Sequence, residues 1–247
     1  MKAIQGKLIA ACAAFICIQQ LSAQTSAVPS EPQQQETPAP VQQQTQVPVE
    51  APVKKQTAVT PVKRDALFLY QNGDYAGAIA ICEAELASDP TRVESYVVMC
   101  WSLLKNKQYA EAEQHATDGL QVSPFDLRLL EILGEAKYYL GKNNGALEQF
   151  QKYVASAPES AARVGAAYYF MGEIYVRQAR YQYADIALSA AVKKEPLLDR
   201  WWTRLGYARE MAGNYYEAAA AYDEALRLNS ASADAQSGKN RVSAKLQ

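Results

Sequence analysis

Proline residues recur at an almost constant spacing through the C-terminal part of this 247-residue chain. Pro90, Pro124 and Pro158 lie 34 residues apart, and Pro196 follows after 38 residues. One more interval of 34 residues reaches Ser230, where serine takes the place of proline. A fixed period of this length is typical of stacked supersecondary units that cannot bury their apolar faces alone. The spacing therefore predicts a repeat fold.

Small residues keep the same phase as the prolines. Within each unit, one small residue is followed by a second small residue twelve positions later. The pairs are Ala66 and Ala78, Cys100 and Ala112, Gly134 and Ala146, Gly172 and Ala184, and Gly206 and Ala218. Two antiparallel helices approach closely only where the facing side chains are small, and larger neighbours then fill the grooves. Each unit is therefore predicted to be a pair of antiparallel helices, which proline ends.

This pattern resembles the tetratricopeptide repeat (TPR) family. The most complete copy has the family's residue types at Trp202, Leu205, Gly206, Ala218, Tyr222 and Ala225. The first copy departs most from the pattern, since Cys82 and Glu85 stand at positions that are usually aromatic and alanine. The resemblance covers residues 59–232. It implies an all-α fold, a right-handed α-solenoid of about five helix-turn-helix repeats that ends in a C-terminal capping helix.

The phase of the pattern sets the boundaries of the repeats. We place five repeats at residues 59–92, 93–126, 127–160, 165–198 and 199–232, with the capping helix at residues 233–247. The four extra residues of the third interval are assigned to residues 158–165. There they are expected to lengthen the first helix of the fourth repeat by about one turn.

The N-terminal sequence predicts export. Lys2 and Lys7 accompany an unbroken apolar run over residues 8–18, which is too short for a membrane anchor. Residues 1–23 are interpreted as a cleaved signal peptide, so the mature chain is expected to have no integral membrane span and a periplasmic or cell-envelope location. A retained anchor and a lipoprotein lipidated at Cys12 are the alternatives.

The segment between this signal and the repeats has a distinct composition. Residues 24–58 are rich in proline and glutamine and hold no aromatic residue. Proline breaks helices, and a segment with few large apolar groups cannot offset the entropy lost on ordering. We therefore predict a disordered linker that acts as a spacer.

The resemblance also implies a ligand site, because TPR proteins use a concave groove lined by the first helix of each repeat. Counted from Gly134, the groove-facing positions form one helical face. Over the five repeats the predicted partner-binding residues are Lys63, Tyr70, Trp101, Lys105, Arg128, Glu131, Glu135, Tyr138, Tyr139, Tyr169, Glu173, Arg177, Arg200 and Tyr207. If the helical face is assigned correctly, the aromatic residues of the groove have no packing role. Aromatic residues beside arginine are typical of binding hot spots. Ordinary packing between repeats is the alternative for each ring.

A clamp for a C-terminal carboxylate, which some TPR proteins carry, is not matched. Lys63 could be one of its members, but Leu67 stands where the asparagine of the clamp is expected. Trp101 and Glu135 also differ from that pattern. The sequence therefore gives no support for the recognition of chaperone tails.

Residues that could carry out catalysis or bind a metal do not converge. His115 is the single histidine, and no cluster of cysteine or carboxylate residues accompanies it. Hydrolase and nucleotide-binding motifs are absent, so no enzymatic activity and no cofactor are expected. With 25 basic and 26 acidic residues the chain lacks the basic surface typical of nucleic-acid binding.

Cys82 and Cys100 occupy packing positions on adjacent predicted helices. An exported chain meets an oxidising compartment, where a disulfide could form if the two Cα atoms lay within about 7 Å. Two buried thiols that pack as small apolar residues are the other possibility.

The sequence as a whole predicts a non-catalytic protein–protein interaction scaffold of the bacterial cell envelope or periplasm. Its concave groove is expected to bind a protein or peptide partner. A structural or self-assembling component of an envelope complex is the alternative, and a homo-oligomer that buries the groove would favour it. The identity of the partner and the oligomeric state stay open.

Overall fold

The computed structural model describes residues 65–158 and 160–247 of the chain. Within these residues there are eleven α-helices and no β-strand. The helices are α1 (Ala66–Gln71), α2 (Tyr75–Ser88), α3 (Val93–Lys105), α4 (Tyr109–Val122), α5 (Leu127–Tyr139), α6 (Asn143–Ser156), α7 (Val164–Arg177), α8 (Tyr181–Lys194), α9 (Asp199–Ala212), α10 (Tyr215–Leu228) and α11 (Ala233–Ser243). None of them combines the length and the apolar character needed to cross a bilayer. The predicted signal peptide, the predicted linker and Lys63 lie outside the described residues.

The helices are stacked in pairs. Each helix packs on the next one along the chain, and the odd-numbered helices also contact each other in sequence, from α1 to α11. The first helices of successive pairs therefore lie side by side and share one face of the molecule. This arrangement confirms the predicted all-α solenoid of five helix pairs with a C-terminal capping helix.

Glycine residues mark the closest approaches within the helix pairs. A Cβ atom on Gly134 of α5 would lie 2.8 Å from the Phe150 ring of α6. One on Gly206 of α9 would lie 2.8 Å from the Tyr222 ring of α10. These distances are shorter than side-chain packing allows, so the large ring of the second helix fits only against a glycine of the first.

Three of the four extra residues of the third interval lie in a loop, and the fourth belongs to α7. Seven residues, 157–163, separate α6 from α7, whereas four residues, 123–126, separate α4 from α5. Helix α7 has 14 residues, one more than α5 and the same number as α9. The expected lengthening of the first helix by about one turn is therefore wrong. In the described part of this loop, backbone hydrogen bonds run from Ala161 N–H to Pro158 O (2.9 Å) and from Val164 N–H to Ala161 O (3.2 Å).

The C-terminal helix α11 covers the last helix pair. Tyr222 of α10 is fully buried, and a Cβ atom on Gly238 of α11 would overlap its ring. The Tyr222 hydroxyl donates to Glu210 Oε2 at 2.7 Å. Arg241 of α11 donates to the same carboxylate, with Nε 2.7 Å from Oε1. Ring packing and an ion pair together hold the capping helix in place.

Cys82 and Cys100 are free thiols, and both are fully buried. Burial raises the pKa of Cys82 to about 11, and burial also raises the pKa of Cys100. A thiol that stays protonated in a closed environment packs as a small apolar group. Of the two alternatives left open by the sequence, a disulfide and a pair of buried thiols, the structure shows the buried thiols.

The turn within each helix pair repeats one backbone geometry. In the first turn the Gly73 N–H donates to Tyr70 O at 3.1 Å, and the Asp74 N–H donates to Leu69 O at 2.9 Å, which is a Schellman motif. The residue equivalent to Gly73 has a positive φ in all five turns, and these residues are Gly73, Lys107, Gly141, Ala179 and Gly213. Lys107 (φ 62°) and Ala179 (φ 56°) are therefore strained, because a left-handed backbone disfavours residues that carry a Cβ atom.

We expect Ala179→Gly to raise the free energy of unfolding by roughly 0.5 to 1 kcal/mol, because relief of the left-handed strain outweighs the extra entropy of an unfolded glycine. The matched control is Gly213→Ala, where a new Cβ meets no atom within 4 Å and only strain is added. It should lower the free energy of unfolding by about 1 kcal/mol. Urea denaturation measures both values, and shifts of the same sign in the two variants would contradict the expectation.

Candidate functional site

A groove opens along the first helices of the first three pairs. It is bounded by α1, α3 and α5, by the turn into α4 and by the loop 157–163, and its volume is about 650 Å³. We call it the N-terminal groove, and its lining residues are Tyr70, Trp101, Leu104, Lys105, Lys107, Tyr109, Leu127, Arg128, Glu131, Glu135, Tyr139, Tyr153, Pro158, Ala161 and Arg163. The structure thus brings together seven of the residues predicted from the sequence. They are Tyr70, Trp101, Lys105, Arg128, Glu131, Glu135 and Tyr139.

Aromatic rings form part of the wall of the N-terminal groove. The rings of Tyr109 and Tyr139 are stacked, with centroids 4.5 Å apart and planes at 15°. The centroids of Tyr70 and Trp101 lie 5.7 Å apart. Tyr139 is 48% exposed although it lies on a packed helix. Such rings present an apolar surface that a ligand can cover, together with hydroxyl groups that can form hydrogen bonds.

Two carboxylates at the base of the groove are paired with an arginine from the inserted loop. Glu131 is only 5% exposed, and Arg163 donates from Nε to Glu131 Oε1 at 3.1 Å. Arg163 also donates from Nη2 to Glu135 Oε2 at 2.9 Å. A buried carboxylate is costly unless a cation and hydrogen bonds accompany it. The loop 157–163 therefore supplies the charge that allows these two acids to be buried.

The single cation does not fully balance the two acids. Burial and the neighbouring Glu131 carboxylate raise the pKa of Glu135 to about 7, although Arg163 and Lys105 act in the opposite direction. An elevated carboxyl pKa of this kind follows from desolvation together with a like charge. The net charge of the groove therefore changes near neutral pH.

The remaining cations of the groove differ in their partners. Arg128 donates from Nη1 to Glu94 at 2.8 Å and from Nη2 to Asp126 at 2.7 Å. Lys105 and Lys107 are both exposed, and neither makes an ion pair within 4.0 Å with a residue in the described part of the chain. Two ammonium groups at the rim thus have no internal counter-charge at salt-bridge distance.

Tyr138 has a packing role, which corrects the expectation from its helical phase. The residue is only 8% exposed, and its ring centroid lies 4.8 Å from that of Phe170 in the next helix pair. The guanidinium carbon of Arg177 lies 3.8 Å from the centre of the Tyr138 ring. Arg177 also donates to the Tyr138 carbonyl oxygen at 3.2 Å. Both predicted site residues therefore join the third pair to the fourth.

The predicted residues of the last two pairs also contact neighbouring helices. Tyr169 is stacked on Trp201, with ring centroids 4.9 Å apart. Arg204 donates from Nε to the carboxylate of Glu173, and its guanidinium carbon lies 5.2 Å from the centre of the Tyr207 ring. These residues do not line the N-terminal groove.

Two predicted residues remain. Arg200 is exposed near the start of α9 and does not line the N-terminal groove. Lys63 lies outside the described residues, so its prediction has no structural counterpart here.

Eight lining residues of the groove were not in the predicted set of partner-binding residues, and three of these carry its charge or its stacked rings. Lys107 lies on the turn between α3 and α4, Tyr109 is the first residue of α4, and Arg163 lies on the inserted loop. The helical-face count considers first helices alone, so it passes over these three residues. Tyr109 nevertheless keeps the phase of Tyr75 and Tyr181 in other repeats, and the longer third interval points to the loop.

The N-terminal groove combines apolar rings, ammonium groups and a carboxylate–guanidinium cluster. Across residues 65–158 and 160–247, no group of three or more histidine, cysteine, aspartate or glutamate side chains is arranged to hold a metal ion. The polar groups on the lining are suited to hydrogen bonds and ion pairs with a bound chain.

Comparison with known proteins gives matches in family and fold. Two family models, each described as tetratricopeptide repeat, match residues 69–136 and 169–233. No curated protein is significantly similar to this chain in sequence.

Solved structures show the same fold at low sequence identity. A crystal structure of MamA protein is 21% identical with a TM-score of 0.59, and the match covers 67% of this chain and 88% of that chain. MamA from Desulfovibrio magneticus RS-1 is 18% identical with a TM-score of 0.60, and the match covers 68% of this chain and 93% of that one. YrrB, a TPR protein with an unusual peptide-binding site, is 18% identical with a TM-score of 0.61, with coverage of 71% and 88%.

We expect the Glu135 carboxyl to make the protein less stable as the pH rises. Its folded pKa of about 7 exceeds the ordinary value of 4.5, so the folded state binds this proton more tightly than the unfolded chain does. The stabilising contribution is therefore complete below pH 4.5 and is lost as the pH rises through 7.

Urea denaturation at pH 5 and pH 8 tests this expectation against Glu135→Gln. The variant keeps an acceptor for Arg163 but has no proton to lose. Between pH 5 and pH 8 the free energy of unfolding should fall by about 2 kcal/mol more in the wild type than in the variant. An equal fall in the two proteins would show that Glu135 titrates with an ordinary pKa.

Proposed function

Because this chain belongs to the tetratricopeptide repeat family, we propose that it is a protein–protein interaction scaffold whose N-terminal groove binds a peptide segment of a partner protein. The observation that carries the proposal is the exposed aromatic and basic lining of that groove. The Tyr109 and Tyr139 rings and the ammonium groups of Lys105 and Lys107 share one cavity. Among proteins of the same fold, YrrB has a peptide-binding site, which supports a peptide as the type of ligand.

The size of the groove supports a short segment as the ligand. A volume of about 650 Å³ lies within the range of clefts that hold small ligands or a few side chains. Such a cavity can take the anchor residues of a peptide, whereas the rest of the partner would lie over the neighbouring surface. Anchors of this kind supply most of the binding energy at protein interfaces.

The scaffold is proposed to be non-catalytic. TPR proteins are in general interaction scaffolds, and the ion pairs of this groove have structural roles. Arg163 holds Glu131 and Glu135, while Asp126 and Glu94 hold Arg128. The side chains on the lining that lack a counter-charge are lysines at the rim, which can attract a charged ligand.

Export to the bacterial cell envelope is part of the proposal. Lys2 and Lys7 and the apolar run over residues 8–18 support it, since a basic start followed by a short apolar stretch is typical of signal peptides. We expect mass spectrometry of the protein purified from its native source to place the mature N-terminus at Gln24. A chain that retains residues 1–23 would contradict this, and a lipidated Cys12 would change the mode of anchoring.

The groove is tested by replacing a residue that is exposed within it. We expect Tyr139→Ala to recover captured partners at least tenfold less well than the wild type, because truncation of an aromatic hot spot costs about 2 kcal/mol. The matched control is Tyr216→Ala, which removes a 75% exposed ring on α10, outside the groove. Partners are captured by crosslinking from the native envelope fraction and quantified by mass spectrometry.

Two results would contradict the proposal. One is equal recovery of the same partners by the wild type and by a folded Tyr139→Ala variant. The other is a stable homo-oligomer that buries Tyr139, which light scattering combined with solvent accessibility of the ring would detect. That second outcome would favour a self-assembling structural component.

A further inference from the structure

One turn residue of the N-terminal groove departs from its equivalents in both strain and charge. Lys107 has a φ of 62°, where Gly73, Gly141 and Gly213 occupy the same position in other repeats. A Cβ atom built on any of those three glycines meets no atom within 4 Å, so space does not decide which residue stands there. A lysine is therefore held in a conformation that glycine would adopt without strain.

Strain alone does not mark a site, and Ala179 shows this. It has a φ of 56° at the equivalent position of the fourth repeat and does not line the N-terminal groove. Lys107 differs because it lies at the rim of that groove and carries a charge. Strain retained at a ligand-facing position is consistent with a side chain that has a use there.

The charges along the groove favour an anion at this rim. Lys105, Lys107, Arg128 and Arg163 line the groove together with the acidic residues Glu131 and Glu135. Both of these acids accept from Arg163, and Arg128 is held by Glu94 and Asp126, so the positive charges without an ion pair are those of the two lysines. Neither ammonium group has a counter-charge within 4.0 Å in the described part of the chain. A carboxylate placed there would gain charge-assisted hydrogen bonds.

A cationic ligand fits this groove less well. Its natural partners would be Glu131 and Glu135, but Arg163 already donates to both of them. A bound cation would have to displace Arg163 from the buried Glu131 carboxylate, and the guanidinium group of Arg163 would then lack a counter-charge. An anionic group at the rim needs no such displacement.

An apolar surface adjoins the two lysines. Tyr109 follows Lys107 by two residues, and its ring is stacked on the half-exposed ring of Tyr139. A ligand that presents a carboxylate to the lysines therefore has an aromatic face beside it. The two ammonium groups and the adjacent aromatic surface are therefore complementary to a peptide in which an acidic residue stands next to an aromatic or aliphatic one.

We propose that Lys105, Lys107, Tyr109 and Tyr139 form a subsite that selects partner segments with an aspartate or glutamate beside an aromatic or aliphatic residue. The proposal rests on the proposed function, because it assigns a peptide class to the same groove. In this arrangement Lys107 determines specificity through its charge, and the strain at its backbone is a cost of that selectivity.

Selection from a library of random short peptides displayed on phage tests the proposal with the full chain. We expect the peptides selected on the wild-type protein to be enriched in acidic residues next to apolar ones. A peptide that corresponds to residues 24–58 of the chain is added as a competitor in a parallel selection, to test whether the chain's own segment occupies the groove. It should not abolish the enrichment. A selected acidic peptide is then measured by fluorescence anisotropy on single variants. Lys107→Gly should raise its Kd at least fivefold, and Lys105→Gln should have a similar effect.

Ala179→Gly is the matched control, because it relieves the same strain away from the groove. Both glycine variants should keep or raise the melting temperature, so a loss of binding in Lys107→Gly cannot come from unfolding. Ala179→Gly should bind the peptide with the Kd of the wild type. Equal affinity in the two glycine variants overturns the role of Lys107.

The remaining outcomes separate this inference from the function on which it rests. Selected peptides that need Tyr139 but carry no excess of acidic residues overturn the subsite and leave groove binding intact. Abolition of the enrichment by the chain's own segment overturns the choice of a partner as the occupant. Selected peptides that bind equally well to Tyr139→Ala, or a selection that yields no peptide, overturn both the subsite and peptide binding by this groove.

Discussion

The structure depends on one steric constraint, the close contact in the third, fourth and fifth pairs between a glycine of the first helix and a large side chain of its partner helix. Gly134 against Phe150 and Gly206 against Tyr222 leave no room for a single added carbon. Because the partner helix approaches so closely on that side, the opposite face of each first helix is left to its neighbours in adjacent repeats. The first helices therefore line up, and the face that they share becomes the groove.

Charge adds a second level of order between repeats. Glu131 is held by Arg163, Glu173 by Arg204, and Glu210 by Arg241, so an arginine from the following unit repeatedly meets an acid of the preceding one. Partly buried pairs of this kind contribute little net stability, because desolvation offsets their attraction, but an unpaired member would be costly. Their main effect is to favour one register between neighbouring units. The acids of the groove are consequently held by an arginine, whereas Lys105 and Lys107 make no ion pair within 4.0 Å with a described residue.

The sequence was sufficient for features that recur with the repeat. The period predicted the helix pairs, and the small residues predicted which helices approach each other, since both depend on contacts that every repeat makes. Features that occur once were missed. A helical-face count places Tyr138 on the groove side but does not reveal that Phe170 and Arg177 of the next pair cover it. The backbone hydrogen bonds in the described part of the inserted loop are likewise local contacts that no repeat pattern encodes.

The inserted loop also marks the end of the N-terminal groove along the row of first helices. In a regular solenoid the groove would continue across every first helix, but here the inserted loop adds Pro158, Ala161 and Arg163 to the wall beyond α5. Arg163 then neutralises acids that would otherwise attract cations. Beyond the loop, rings such as Tyr169 and Trp201 stack on each other across neighbouring repeats. The same insertion thus bounds the cavity of the first three repeats and supplies the arginine that pairs with its acids, which leaves Lys105 and Lys107 without an ion pair among the described residues.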